Sequence, residues 1–200
     1  MMLPNKFVHS TTRDESVHSV AALTLAFSND PACRWAWPDA QQYLDAFPRF
    51  VRAFGGRAFE QGSAFHTDGY RGVALWLQPG SGPDEEALGE LLEETVADET
   101  LRDLFHVFER MGAFHPKEPH WHLPLIGVDP ALQGRGWGSA LLRHALAQCD
   151  EENLPAYLEA TSIRSAVLYR RLGFAPLGTI QVGSSPPIIP MLREPGSPVN

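Results

Sequence analysis

The stretch Leu123-Pro124-Leu125-Ile126-Gly127-Val128-Asp129-Pro130, continued by Gln133-Gly134-Arg135-Gly136-Trp137-Gly138-Ser139-Ala140-Leu141-Leu142, decides the fold. Leu123 to Val128 is a short apolar run that reads as a buried strand. After it, Gly138, Leu141, Leu142, Ala145, Leu146 and Cys149 recur at helical spacing on one face. A strand therefore feeds a glycine-rich turn that opens a helix. Such a turn presents several main-chain N–H groups at the positive end of a helix dipole, where a pyrophosphate is favoured. Glycines at alternate positions let the main chain approach phosphate oxygens without an intervening Cβ.

Two familiar phosphate loops fail against this turn. A Walker loop needs Gly-x-x-x-x-Gly-Lys-Ser/Thr, and the turn has no lysine. A dinucleotide fingerprint needs Gly-x-Gly-x-x-Gly early in a βαβ unit, whereas Gly134, Gly136 and Gly138 come late and in a different order. Gln-Gly-x-Gly-x-Gly after a Val-x-Pro strand end instead resembles the coenzyme A pyrophosphate loop of the GNAT N-acetyltransferase family. A second motif agrees. Leu158-Glu159-Ala160-Thr161 reads as a strand end, and Ser165 to Gly173-Phe174 as a helix stopped by glycine. Together they resemble the family's Leu-Glu-x-Thr followed by Asn-x-x-x-x-Tyr-x-x-x-Gly-Phe, with Ser165 in place of the frequent asparagine and still able to cap a helix. The resemblance is good over residues 118–175 and only outlined elsewhere. His115-Pro116-Lys117-Glu118-Pro119-His120-Trp121 adds a closer likeness to the puromycin N-acetyltransferase group within that family.

The resemblance implies an α/β fold: a mixed, mostly antiparallel central sheet flanked by helices and splayed between two parallel strands at the acetyl-CoA site. It implies one N-acetyltransferase domain over residues 1–200, with an acceptor half over 1–117 and an acetyl-CoA half over 118–182. Acetyl-CoA is the expected co-substrate, held by Ile126, Gly127, Val128, Gln133, Gly134, Arg135, Gly136, Trp137, Gly138, Ser139 and Ser165. The implied reaction is direct attack of a small-molecule primary amine on the thioester within a ternary complex. The main chain near Ile126 to Val128 is implied as oxyanion donor, and Tyr169 as the acid that protonates the departing thiolate. A non-catalytic acyl-CoA-binding regulator and a protein-lysine acetyltransferase remain as alternatives.

The base is less tightly specified. His120 and His122 alternate, so both face one side of the strand, where an amine could arrive. We take His122 as the candidate base, with Glu118, Glu159 and a water chain as rivals. His120-x-His122 also suggests zinc, but no third ligand is spaced nearby and no metal is expected. Trp35, Trp37, Phe47, Phe50 and Phe54 suggest an apolar acceptor pocket or, equally, plain core.

Composition sets the outer bounds. Two hundred residues suffice for a sizeable core, and 44% hydrophobic with 20% charged residues is ordinary for a globular chain. A formal net charge of −8 argues against nucleic acid as a partner and suits a cationic amine. Two cysteines make no disulfide framework, and there is neither a signal peptide nor a membrane-length apolar run. A cytoplasmic protein is expected, with a homodimer left open and no membrane partner. Elsewhere the pattern predicts a strand at residues 7–9, a helix after the Thr12–Glu15 capping-box spacing, and a loop around Asp30 to Pro38. A helix is predicted over 39–54 with Pro48 interrupting or kinking it, strands at 64–67 and 71–77, and two helices over 84–111. A last strand pair is predicted at 174–182 and 188–192, with Pro190 near an edge or bulge.

Overall fold

Pro124 and its neighbours shape the sheet around which everything else is arranged. The computed structural model describes residues 7–197. Its strands are β1 (Val8–Ser10), β2 (Ala64–Thr67), β3 (Gly72–Leu77), β4 (Trp121–Val128), β5 (Ala156–Ala160), β6 (Ala175–Pro176) and β7 (Ile189–Arg193). They form one sheet in the order β1-β2-β3-β4-β5-β7-β6. β4 and β5 run parallel, and the other neighbours run antiparallel.

β4 and β5 pair only at Trp121–Ala156, His122–Tyr157 and Leu123–Leu158. Past that point comes Pro124, which has no N–H to give either neighbour. On the other side of β4, Leu75 faces Leu125 while Leu77 faces His122, so three steps along β4 answer two along β3. This is a β-bulge, a usual place for a strand proline. It changes which residues face which layer. Trp121 and Leu123 join the core on one side of the sheet, and so does Ile126. Pro124 and Leu125, although consecutive, both border the cavity on the opposite side.

The helices are α1 (Ser16–Ala26), α2 (Pro31–Ala36), α3 (Ala40–Gly55), α4 (Arg57–Gln61), α5 (Glu85–Thr95), α6 (Asp98–Phe114), α7 (Trp137–Glu151) and α8 (Ile163–Arg171). Leu23, Phe47, Val51, Leu91 and Leu92 build one core against Val73, Leu75 and Leu125. Leu141, Leu142, Leu146, Cys149, Tyr169 and Leu172 build the other against Trp76, Leu123 and Leu158. On α7, Asp150 grips the buried Arg193 of β7 with two bonds of 2.7 and 2.9 Å, closing the second core at its far edge.

Several local expectations change. Residues 31–36 form α2 rather than loop: Asp30 caps its N-terminus by accepting from the Ala32 and Cys33 N–H groups, and Pro31 fills the first helical position. Helix α3 runs through Pro48 without a break; Leu44, whose carbonyl loses a donor there, is exposed. The Thr12–Glu15 spacing makes half a capping box, in which the Glu15 carboxylate accepts from the Thr12 N–H, and α1 starts at Ser16. The last strand pair is shorter than its pattern, with β6 reduced to two residues and a single bridge between Ile180 and Ile188 beyond it. Pro190 sits in β7, one strand in from the edge, opposite Glu159.

Candidate active site

The glycine turn folds as its residue types require. Asp129 accepts from the Ala131 N–H at 2.8 Å and starts a 3-10 turn over Pro130–Leu132. Gly134 and Gly136 follow with φ of 76° and 82°, the left-handed region that side-chain-bearing residues avoid. Gly136 caps α7 directly, so the first N–H groups of that helix have no side-chain cap and point out of its N-terminus. A Cβ built on Gly134 would meet nothing within 4 Å. These are the features that a pyrophosphate cradle needs, and the residues fit that group. The edge of β4 facing away from β3 pairs with β5 only as far as Leu123, so Ile126, Gly127 and Val128, paired with β3 on one side, have no strand on the other. The Gln133 side chain folds back to donate to the Val128 carbonyl at 3.3 Å. Arg71 lies over the Trp137 ring at 5.2 Å.

Gly127 has a second reason to lack a side chain. A Cβ there would stand 2.6 Å from the Ala26 Cβ and 3.2 Å from Leu23 Cδ2, so it lets α1 lie close against β4. Ser165 departs from its expected role. Ser162 caps α8, accepting from the Ser165 N–H at 3.2 Å, and the Ser165 hydroxyl lies inside the first turn, bonded to the Ser162 carbonyl. The pattern put the cap three residues late because either serine could serve. Gly173 does follow the helix end with φ of 91°.

Tyr169 is buried against Phe174 in the α7–α8 core, and its ionisation is pushed up, first by burial and then by the Asp30 carboxylate. The phenol therefore keeps its proton at neutral pH. Asp30 also receives the Thr161 hydroxyl at 2.5 Å, tying the α1–α2 turn to the end of β5, and burial raises its own pKa.

On the other side of β5 lies a cluster of acid and imidazoles. His122 and Glu159 are both 5% exposed at the side chain and meet at 3.1 Å between Nε2 and Oε2. His115, from the end of α6, places Nε2 3.8 Å from Glu159 Oε1. The His115 and His120 rings are bonded at 3.1 Å, and His120 Nδ1 donates to the Glu118 carbonyl at 2.8 Å. His120 and His122 both contact the His115 ring, so they do share a face. Glu118 joins through its main chain alone, and the residue itself is exposed. Burial would raise the Glu159 carboxyl, but the facing His122 and His115 outweigh it and hold its pKa below the usual range. Burial and the neighbouring His122 push His115 down to about 4. Glu159 Oε1 and the Tyr157 hydroxyl are buried with no protein hydrogen-bond partner.

Glu159 also lines a solvent-open cleft with about 680 Å³ of empty space, walled by Trp37, Phe50, Phe54, Phe108, Met111 and Pro124. Among the described lining residues Glu159 is the one carboxylate. Of the aromatics singled out by sequence, Trp37, Phe50 and Phe54 face the cleft, Phe47 is fully buried core, and Trp35 donates to Ser184 outside it. Sequence reasoning missed Asp30 and His115. Asp30 reads as a turn residue, although Asp-Pro is also a helix-start signal. His115 stands in the quoted His115–Trp121 stretch, but nothing in its spacing joins it to His122 and Glu159.

Among the described residues no helix is long and apolar enough to cross a membrane. Residues 100–174 match the acetyltransferase (GNAT) family. The chain is similar over 98% of its length to a solved structure from Corynebacterium glutamicum, described as histone acetyltransferase HPA2 and related acetyltransferase. That likeness has 30% identity and a TM-score of 0.68, and it covers 99% of the other chain. A Drosophila melanogaster polyamine N-acetyltransferase shares the fold at a TM-score of 0.68 and 15% identity, over 95% of this chain and 100% of its own. An uncharacterised N-acetyltransferase of Schizosaccharomyces pombe is 24% identical over 195 residues, 88% of this chain and 78% of the relative.

Proposed function

Because the chain belongs to the GNAT acetyltransferase family, we propose that it moves the acetyl group of acetyl-CoA to the primary amine of a small acceptor with an apolar, aromatic-sized body. The observation that carries this reading is a single buried carboxylate, Glu159, facing an aromatic-walled cleft beside the gap between β4 and β5. An ammonium entering that cleft finds one counter-charge, the Glu159 carboxylate, whose Oε1 makes no hydrogen bond of normal geometry. The walls reward an apolar body by about 25 cal/mol per Å² removed from water.

The amine must lose a proton before it can attack. His122 is the base in this reading, its Nε2 held 3.1 Å from Glu159 Oε2, which orients the imidazole toward the arriving amine. The carbonyl receiving the attack lies, in this reading, against the β5-facing edge of Ile126 to Val128, where an N–H stabilises developing negative charge. Acetyl-CoA supplies the thioester and the leaving thiol. Tyr169, kept protonated by burial, donates to the departing sulfur. The N–H groups from Gly134 to Ser139 hold the pyrophosphate. Holding both reactants in line supplies much of the rate, on the order of several kcal/mol.

The test is thiol release from acetyl-CoA across a panel of amines. Arylalkylamines should turn over with higher kcat/KM than short polar amines, and Glu159→Gln should lower kcat for the best of them. Acetylation confined to lysines in extended peptides would overturn the small-acceptor reading.

A further inference from the structure

We propose that His115, His122 and Glu159 form a three-ligand site for a zinc-class divalent cation. Three elements converge on it: the end of α6, strand β4 and strand β5. One ligand atom from each residue can be chosen so that all lie within 4.8 Å of one another. Metal–ligand bonds of about 2.0–2.2 Å in tetrahedral geometry place ligand atoms about 3.3 Å apart. The observed separations are 3.1 Å from His122 Nε2 to Glu159 Oε2 and 3.8 Å from His115 Nε2 to Glu159 Oε1, so each imidazole faces its own oxygen of the carboxylate and a cation would draw the three groups together. Glu159 Oε1 is buried without a hydrogen bond of normal geometry, its charge eased by the Tyr157 hydroxyl and by His115 Nε2 at 3.8 Å, and a cation would complete its coordination. The shell behind the ligands is also in place. His115 Nδ1 can donate to His120 Nε2 and His120 Nδ1 to the Glu118 carbonyl, which leaves His115 Nε2 with its lone pair toward Glu159. Outward hydrogen bonds of this kind fix metal-binding histidines. Two imidazoles and a carboxylate select a borderline transition ion over calcium or magnesium.

The cation occupies the same atoms that the acetyl-transfer reading uses for the amine proton. On that reading it inhibits, since His122 Nε2 and Glu159 cannot bind metal and accept a proton together. The binding itself does not depend on that reading.

Tag-free protein is stripped with chelator, dialysed and titrated with Co(II) alone. The expected result is one cobalt per chain with visible ligand-field absorption, erased by Zn(II). His115→Ala, at a partly exposed position, should abolish the band while thermal stability and acetyl-CoA affinity persist. His120→Ala should weaken binding about 10- to 100-fold. Absence of the band, or a band unchanged in His115→Ala, overturns the site. Cobalt bound at the site with amine acetylation unaffected by Zn(II) would confirm the site and remove His122 as base.

Discussion

Replacing Gly127 by alanine tests the arrangement of α1 on β4 with one added carbon. The new Cβ would stand 2.6 Å from the Ala26 Cβ, which is fixed to the backbone, and 3.2 Å from the movable Leu23 Cδ2. Carbon atoms pack best at about 3.5–4.0 Å, so the end of α1 must retreat by about 1 Å. Overpacking of this kind costs about 1–3 kcal/mol, or about 2–12 °C in Tm for a chain of this size. Ala26→Gly removes the nearer atom and by itself costs at most about 1 kcal/mol. The double variant should therefore be more stable than Gly127→Ala alone, a favourable coupling measurable by thermal and urea melts of all four proteins. Function should follow. Phe27 borders the acceptor cleft immediately after α1, so the single variant should raise the acceptor KM more than the acetyl-CoA KM. Wild-type stability in Gly127→Ala, or a double variant no better than the single, would refute the reasoning.

Tyr169→Phe should lower kcat by about 10²- to 10⁴-fold with acetyl-CoA affinity kept, measured by steady-state kinetics and calorimetry; near wild-type turnover would return Tyr169 to packing. Asp150→Ala removes the carboxylate facing the buried Arg193 guanidinium, which keeps its bonds to the Leu172 and Ser197 carbonyls, and should cost about 1–3 kcal/mol in urea unfolding. The Asp150 carboxyl, held low first by its Arg193 hydrogen bonds, ionises below its unfolded value of about 3.9, so its contribution is full above that pH and is lost as pH falls from there through the lower folded-state pKa. The acid limb of stability in Asp150→Asn should accordingly be flatter below about pH 4. Gly134→Ala meets no packing obstacle, so beyond about 1–2 kcal/mol of backbone strain its effect should fall on acetyl-CoA affinity. An unchanged dissociation constant would move the pyrophosphate away from this turn.

What could be read from the chain was local. The turn Gln133 to Gly138 and the helix behind it are visible because glycine spacing and apolar period lie within a few residues. Tyr169 and Gly173 are fixed by the same short range, although Ser162 rather than Ser165 caps their helix. The strand histidine was legible as a face, but its partners were not. His120-x-His122 offered a local pair, whereas the fold combines His122 with His115 and with Glu159, 37 positions away. Asp30 was hidden for the same reason: its bond to Thr161 spans 131 positions. Residues 174–182 were over-read as strand because alternating apolar residues there serve a single bridge and a small satellite core around Val107 and Ile188.

Pro124 bears on the thermodynamics of ligand entry. If a donor strand stood at that position, β5 could continue its ladder and zip the two strands shut, and a ligand would have to unzip them before binding. With no N–H there and the pairing ended at Leu123–Leu158, the opening persists in the free protein. Binding then carries little reorganisation cost, and affinity reflects contacts made rather than structure undone. Free and liganded forms should accordingly differ little in the separation of β4 and β5.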